Sequence, residues 1–133
     1  PAYRAVARCD GEQGAENAAA DAVALLADRA GARLICAFTR SGKTALQVSR
    51  SRPAAPVLGM TPDETTCRKM SLLWGVEPVR VAEAADLESM TAIVDETLRK
   101  KGRAAAGQRV VIVAGYPYHA GIHANTLLVH TVR

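Results

Sequence analysis

Residues 34–45 read Leu-Ile-Cys-Ala-Phe-Thr-Arg-Ser-Gly-Lys-Thr-Ala, and they carry the clearest structural signal in the chain. The first five are apolar, which predicts a short strand. The next few are small, polar or basic, and a helical pattern follows them from about residue 41. A strand that runs through a tight polar turn into a helix is typical of α/β proteins, which place ligand sites at such turns.

The alternation of helices and strands continues on both sides of this stretch. The predicted elements are, in order, helix 13–31, strand 34–38, helix 41–50, strand 56–60, a helix opened by Thr61 and Pro62 and ending near Gly75, strand 79–81, helix 86–101, strand 109–114 and strand 125–132. Thr61 would cap its helix, and Pro62 suits a first helical position. Because helices separate the first four strands, those strands should be parallel. The last strand follows without a helix and should be an antiparallel edge strand.

Length and composition agree with one domain over residues 1–133, expected to be a three-layer αβα sandwich around a five-stranded mixed sheet. The net charge of +4 is scattered, without basic blocks or interleaved aromatic residues, so nucleic acid is not an expected partner. No apolar run approaches the ~20 residues of a membrane span, and the start of the chain lacks a signal-peptide pattern, so no membrane partner is expected. Three well-separated cysteines, Cys9, Cys36 and Cys67, suit free thiols in a reducing cytoplasm.

The turn after the first strand has the composition of a phosphate-binding loop. Its residues are Thr39, Arg40, Ser41, Gly42, Lys43 and Thr44. A helix N-terminus offers free N–H groups and the positive end of the helix dipole, and a glycine lets an anion approach the backbone closely. The alternative is that Ser41 only caps the helix and the cations are solvated. The loop is not a nucleotide-hydrolysing Walker A motif, because that motif requires glycine at position 37, which is Ala37.

Two histidines, His119 and His123, lie four residues apart near the end of the chain. On a helix this spacing could hold a metal, but Pro117 and Gly121 indicate a loop, so no metal site is expected. Contact with an anionic effector is a second interpretation, and it predicts that effector affinity rises as the pH falls through about 6.5. Exposed loop histidines without a function are the third.

Several segments resemble the C-terminal α/β domain of pyruvate kinases, in the same order as in that family. They are the effector loop at 37–45, Ser-Arg-Ser-Arg-Pro at 49–53, the strand and turn at 55–62, the Leu-x-Trp-Gly-Val-x-Pro-Val signature at 72–79, and the closing hairpin at 107–115 with Asn125 and Thr126. Ser51 stands where the family usually has tyrosine, and Ile122, His123 and Ala124 replace expected glycine or threonine positions.

The resemblance implies a five-stranded α/β sandwich with four parallel strands and an antiparallel last strand. It implies that an effector phosphate binds Thr39, Arg40, Ser41, Gly42, Lys43 and Thr44, under a loop that contains Tyr116, His119, Gly121 and His123. It further implies a homo-oligomer and a partner catalytic barrel, which transfers phosphate from phosphoenolpyruvate to ADP and holds magnesium and potassium. No barrel motif is present, so this domain is expected to have no catalytic residues, no cofactor or metal of its own, and no activity alone.

Two other functions remain open at this point. The chain could be a stand-alone α/β domain that binds a small anionic ligand. It could also be a scaffold or dimerisation domain that binds no effector.

Overall fold

A computed structural model describes residues 14–114 and 126–133. The elements alternate as the sequence predicts: α1 Gly14–Ala30, β1 Ile35–Phe38, α2 Lys43–Arg50, β2 Val57–Thr61, α3 Glu64–Met70, β3 Val76–Arg80, α4 Leu87–Lys101, β4 Arg109–Ala114 and β5 Thr126–Thr131. Within these ranges no helix is both long enough and apolar enough to span a membrane.

The five strands form one sheet in the order β3-β2-β1-β4-β5. Strand β1 pairs in parallel with β2 on one side and with β4 on the other, and β3 pairs in parallel with β2. Strand β5 pairs antiparallel with β4, so that Ile112 lies opposite Leu128. The prediction of four parallel strands and an antiparallel last strand is confirmed.

Helices cover both faces of the sheet. One apolar cluster joins one face of the strands to α1, α2 and α3 through residues such as Val23, Val48 and Met70. The second cluster joins the opposite face to α4 through residues such as Val94 and Leu98. This arrangement is the predicted three-layer αβα sandwich. It follows from right-handed crossovers, because the chain moves one way from β1 to β3 and then back past β1 to β4.

The predicted start and end of the third helix were wrong. Thr61 is fully buried in β2 and pairs with Arg80, so it extends the strand and does not cap a helix. Asp63 is the cap, since its carboxylate accepts the Thr65 N–H at 3.1 Å. The helix then ends at Met70, four residues before Trp74.

Trp74 lies on the surface at the amino-terminal edge of the sheet, where its side chain is 56% exposed. The guanidinium of Arg52 stacks over the indole, 4.2 Å from the ring centroid. Arg52 has φ of 50°, and it is the one non-glycine residue with positive φ among the residues that the structure describes. The Ser49 hydroxyl donates to the Trp74 carbonyl oxygen at 2.6 Å. The end of α2 is thereby attached to the segment that follows α3.

A buried polar pair connects α4 to β5. His130 Nε2 lies 2.8 Å from Asp95 Oδ1, and both side chains are almost fully buried. The same carboxylate oxygen accepts the Arg133 N–H at 3.3 Å. Because buried polar groups are costly without partners, this pair fixes the position of β5 against the helix.

We expect Gly59→Ala to destabilise the fold by about 1–3 kcal/mol, because it overpacks a closely packed part of the core. A Cβ atom at Gly59 would lie 2.5 Å from Met70 Sδ and 3.1 Å from Val76 Cγ1. Urea unfolding measures the loss. In a Met70→Ala background the clash is relieved, so the cost of Gly59→Ala should be smaller there. Equal costs in both backgrounds would contradict this explanation.

The buried Cys36 thiol should make stability fall at high pH. Burial raises its pKa from 9.0 to about 12, and the positive charge of Arg103 opposes the rise only in part. Above about pH 9 the unfolded chain loses this proton and the folded chain keeps it, so the free energy of unfolding should fall by about 1.4 kcal/mol per pH unit from this group. The test compares the pH dependence of unfolding for wild type and Cys36→Ala between pH 8 and pH 10. If the free energy of unfolding changes with pH in the same way in wild type and in Cys36→Ala, the Cys36 thiol does not contribute to the loss of stability.

Candidate functional site

The candidate site lies at the carboxyl-terminal edge of the parallel strands, where β1 and β4 are neighbours. From β1 the chain proceeds to β2 on one side, whereas β4 lies on the other side, so the strand order reverses between them. A crevice at such a reversal is where α/β sheets bind ligands. The loop 39–42 leaves β1 here, and β4 ends at the same edge with Ala114.

The turn between β1 and α2 is made by Gly42 and supported by Thr39. Gly42 has φ of 91°, a left-handed conformation that a residue with a side chain rarely adopts. Its N–H donates to Thr39 Oγ1 at 2.8 Å, and Thr39 is only 4% exposed. Its carbonyl oxygen accepts the Leu46 N–H at 2.9 Å, which begins the helix. The buried Thr39 hydroxyl therefore stabilises the turn by accepting the Gly42 N–H.

Two polar side chains of the loop face solvent, those of Ser41 and Lys43. Ser41 Oγ accepts the Lys43 N–H at 3.3 Å, a long and weak hydrogen bond. The cap residue of α2 is Gly42, which has no side chain to cap the helix, and the first turn of α2 carries no acidic residue. The positive end of α2 is therefore not neutralised by an acid of its own helix.

Helix α3 holds the loop from the side. The Thr66 hydroxyl lies 2.6 Å from the Arg40 carbonyl oxygen and 3.0 Å from Asp63 Oδ2, and both oxygens are acceptors. Hydrogen bonds from the Thr66 side chain and the Thr65 backbone hold the pKa of the Asp63 carboxyl below its usual value. The Thr66 hydroxyl thus contacts both the Asp63 carboxylate that caps α3 and the backbone of the loop at Arg40.

The side chain of Arg40 pairs with Glu83, which follows β3 at the same edge of the sheet. Sequence analysis assigned no role to Glu83 or to Thr66. Both residues lie far from the loop in sequence, and only the parallel strands bring them to it. The one local signal that could have identified Thr66 is its place as a threonine in the first turn of α3.

The six predicted loop residues differ in how far they are exposed to solvent. Thr39, Gly42 and Thr44 are buried, Arg40 is partly exposed, and Ser41 and Lys43 are exposed. The other predicted effector residues, Tyr116, His119, Gly121 and His123, lie outside the described residues. In the part of the chain that the structure describes, no group of three or more His, Cys, Asp or Glu side chains could hold a metal ion.

Comparison with known proteins gives a consistent result. Residues 17–130 match the family model described as "Pyruvate kinase, alpha/beta domain". The chain is 34% identical over 120 residues to a pyruvate kinase of Agrobacterium vitis, which covers 90% of this chain. It is 35% identical over 111 residues to a pyruvate kinase of Methylorubrum extorquens, covering 84% of this chain, and 35% identical over 120 residues to one of Staphylococcus aureus, covering 87%.

The matched region is a small part of each relative. It spans 25% of the Agrobacterium protein, 23% of the Methylorubrum protein and 20% of the Staphylococcus protein. The family model, the similarity to these relatives and the five-stranded mixed sheet agree with one another. This chain belongs to the pyruvate kinase alpha/beta domain family.

Proposed function

We propose that this chain is a single regulatory domain, over residues 1–133, of a pyruvate kinase, and that its 39–44 loop binds the phosphate group of a small effector. The observation that carries the proposal is the start of α2. Gly42 turns the chain there without a capping side chain, and Ser41 and Lys43 face solvent at the reversal of strand order. Phosphate groups bind at helix N-termini of this kind.

The exposed residues of the loop would contact the phosphate, and most of the buried ones would hold the backbone of the loop in position. Lys43 supplies positive charge, and the Ser41 hydroxyl donates to a phosphate oxygen. The backbone at Gly42 and the N–H groups of the first turn of α2 face the anion, with Thr44 at its base. Thr39, Arg40 and Thr66 keep the backbone in place through the contacts described above. Tyr116, His119, Gly121 and His123 are proposed to cover the effector from the segment that follows β4.

Regulation would act on a catalytic barrel elsewhere in the same enzyme. In the relatives the matched domain is a quarter or less of the chain, so most of each protein lies outside it. We propose that the barrel transfers phosphate from phosphoenolpyruvate to ADP in the cytoplasm, with its own magnesium and potassium, and that this domain has no activity alone. An effector can shift the enzyme only by binding one of its conformational or oligomeric states more tightly than the other.

The direct test is calorimetric titration of the chain with fructose bisphosphate, glucose 6-phosphate, ribose 5-phosphate and AMP. We expect at least one to bind, and we expect Lys43→Ala and Ser41→Ala each to weaken it about tenfold, because each removes one interaction with the phosphate. Lys69→Ala is the matched control, since Lys69 is an exposed lysine in the last turn of α3 and should leave affinity unchanged. No heat with any of the four ligands would overturn the proposal.

A second variant tests the support that α3 gives to the loop. Thr66→Val keeps the shape of the side chain but cannot donate to the Arg40 carbonyl oxygen, so the loop should be less well ordered for binding. We expect effector affinity to fall by about three- to tenfold. Thr65→Val makes the same chemical change at an exposed position of α3 and should have no effect on affinity. If the two variants bind alike, Thr66 does not position the loop.

A scaffold domain without an effector is the second candidate function. It is favoured by the two loop amides already engaged within the loop, Gly42 N–H with Thr39 and Lys43 N–H with Ser41. The same titration separates the two functions. A scaffold would show no response to any phosphate and no difference between wild type and Lys43→Ala.

A further inference from the structure

The candidate loop is joined by an ion pair to the segment 81–86, which leads from β3 into α4. Strand β2 lies between β1 and β3, so the pair of Arg40 with Glu83 crosses the carboxyl end of β2. The Val81 N–H donates at 3.0 Å to the carbonyl oxygen of Thr61, the last residue of β2, which holds the start of the segment in place. Glu83 therefore places a carboxylate beside the loop that is proposed to bind the effector.

The ion pair is partly open to solvent and contributes little to the stability of the fold. The Arg40 side chain is 37% exposed and that of Glu83 is 52% exposed. Exposed ion pairs stabilise proteins only weakly, because water and salt screen them. For an anionic ligand the pair has a further consequence, because the carboxylate offsets the charge that the guanidinium would offer to it. Glu83 thereby reduces the positive potential on the β3 side of the loop.

Acids outnumber cations along the described part of this edge, from the last residue of each of β1, β2 and β3 to the first turn of the next helix. The cations are Arg40, Lys43 and Arg80. The carboxylates are Asp63, Glu64, Glu83, Asp86 and Glu88. Arg80 pairs with Glu64 at 3.9 Å, as Arg40 does with Glu83. Residues 115–125, which lie outside the described part, contain no lysine, arginine, aspartate or glutamate. The charge of this edge therefore suits one phosphate group better than two.

We propose that Glu83 is a specificity-determining residue of the loop, and that it favours an effector with one phosphate group over an effector with two. This inference rests on the proposed phosphate site, and it names the class of ligand as a sugar or nucleoside monophosphate. One phosphate would be held by the start of α2 with Ser41 and Lys43, as proposed above. The second phosphate of a bisphosphate adds a charge of about −1.5 to −2, which the Glu83 carboxylate repels on the β3 side.

The test is calorimetric titration of the 133-residue chain with three matched pairs of ligands. They are glucose 6-phosphate with glucose 1,6-bisphosphate, ribose 5-phosphate with ribose 1,5-bisphosphate, and AMP with adenosine 3′,5′-bisphosphate. We expect wild type to bind a monophosphate about tenfold more tightly than the matching bisphosphate. Glu83→Gln keeps the size of the side chain and removes its charge, so affinity for the bisphosphate should rise about tenfold and affinity for the monophosphate about threefold or less.

Two further variants and a change of salt separate the charge of Glu83 from its contact with Arg40. Glu83→Asp keeps the negative charge on a shorter side chain and should retain the preference for one phosphate. Glu96→Gln is the matched control, because Glu96 is another exposed carboxylate in an ion pair, 2.9 Å from Lys100, but lies more than two turns into α4 and away from this edge. It should leave all affinities unchanged. Raising the salt from about 0.05 M to about 0.5 M should shrink the difference between wild type and Glu83→Gln, because salt screens exposed charges.

Several results would overturn the inference. One is a wild type that binds any bisphosphate, fructose bisphosphate included, more tightly than every monophosphate. Another is a Glu83→Gln variant in which both affinities rise equally, and a third is loss of the preference in Glu83→Asp. If phosphates bind but the preference does not depend on Glu83, only this inference fails. If no phosphate binds at all, the proposed phosphate site fails and this inference fails with it.

Discussion

The arrangement of this fold depends on the double pairing of β1, whose backbone is hydrogen-bonded to β2 on one side and to β4 on the other. The strand is four residues long and completely buried on both faces, so it has no freedom to shift. Because crossovers are right-handed, growth of the sheet in both directions from β1 sends α2 and α3 to one face and α4 to the other. It also places the end of β1 at the one point where the strand order reverses. The position of the 39–44 loop thus follows from chain topology.

The loop itself is held by contacts from two sides. Thr39 supports Gly42 from within the turn, and Thr66 holds the Arg40 carbonyl oxygen from α3. These bonds leave Ser41 and Lys43 as the parts of the loop that face solvent. A loop whose backbone is already ordered loses little conformational entropy when a ligand binds, which favours affinity for a small anion. An ordered backbone would equally suit a loop that serves only to connect β1 to α2.

Sequence patterns predicted most of the architecture because the relevant signals are local. The apolar run 34–38 predicted β1, and the lack of a helical sequence pattern between the last two predicted strands predicted the antiparallel strand. The start of α3 was missed because Thr61 and Asp63 are both good capping residues. Pairing of Thr61 with Arg80 of β3 decides between them, and that contact is not local. The roles of Thr66 and Glu83 were missed for the same reason, whereas the apolar residues up to Trp74 extended the predicted helix beyond its true end at Met70.

Helix α2 connects the two opposite rims of the sheet. Its first residue, Lys43, adjoins the candidate loop, and the chain beyond its last turn reaches Arg52 and the indole of Trp74. Eight helical residues span about 12 Å and resist compression along their axis. The candidate loop and the cation–π stack of Arg52 on Trp74 therefore lie at opposite ends of one short, stiff helix. The single tryptophan of the chain, Trp74, thus lies at the end of α2 that is opposite to the candidate loop.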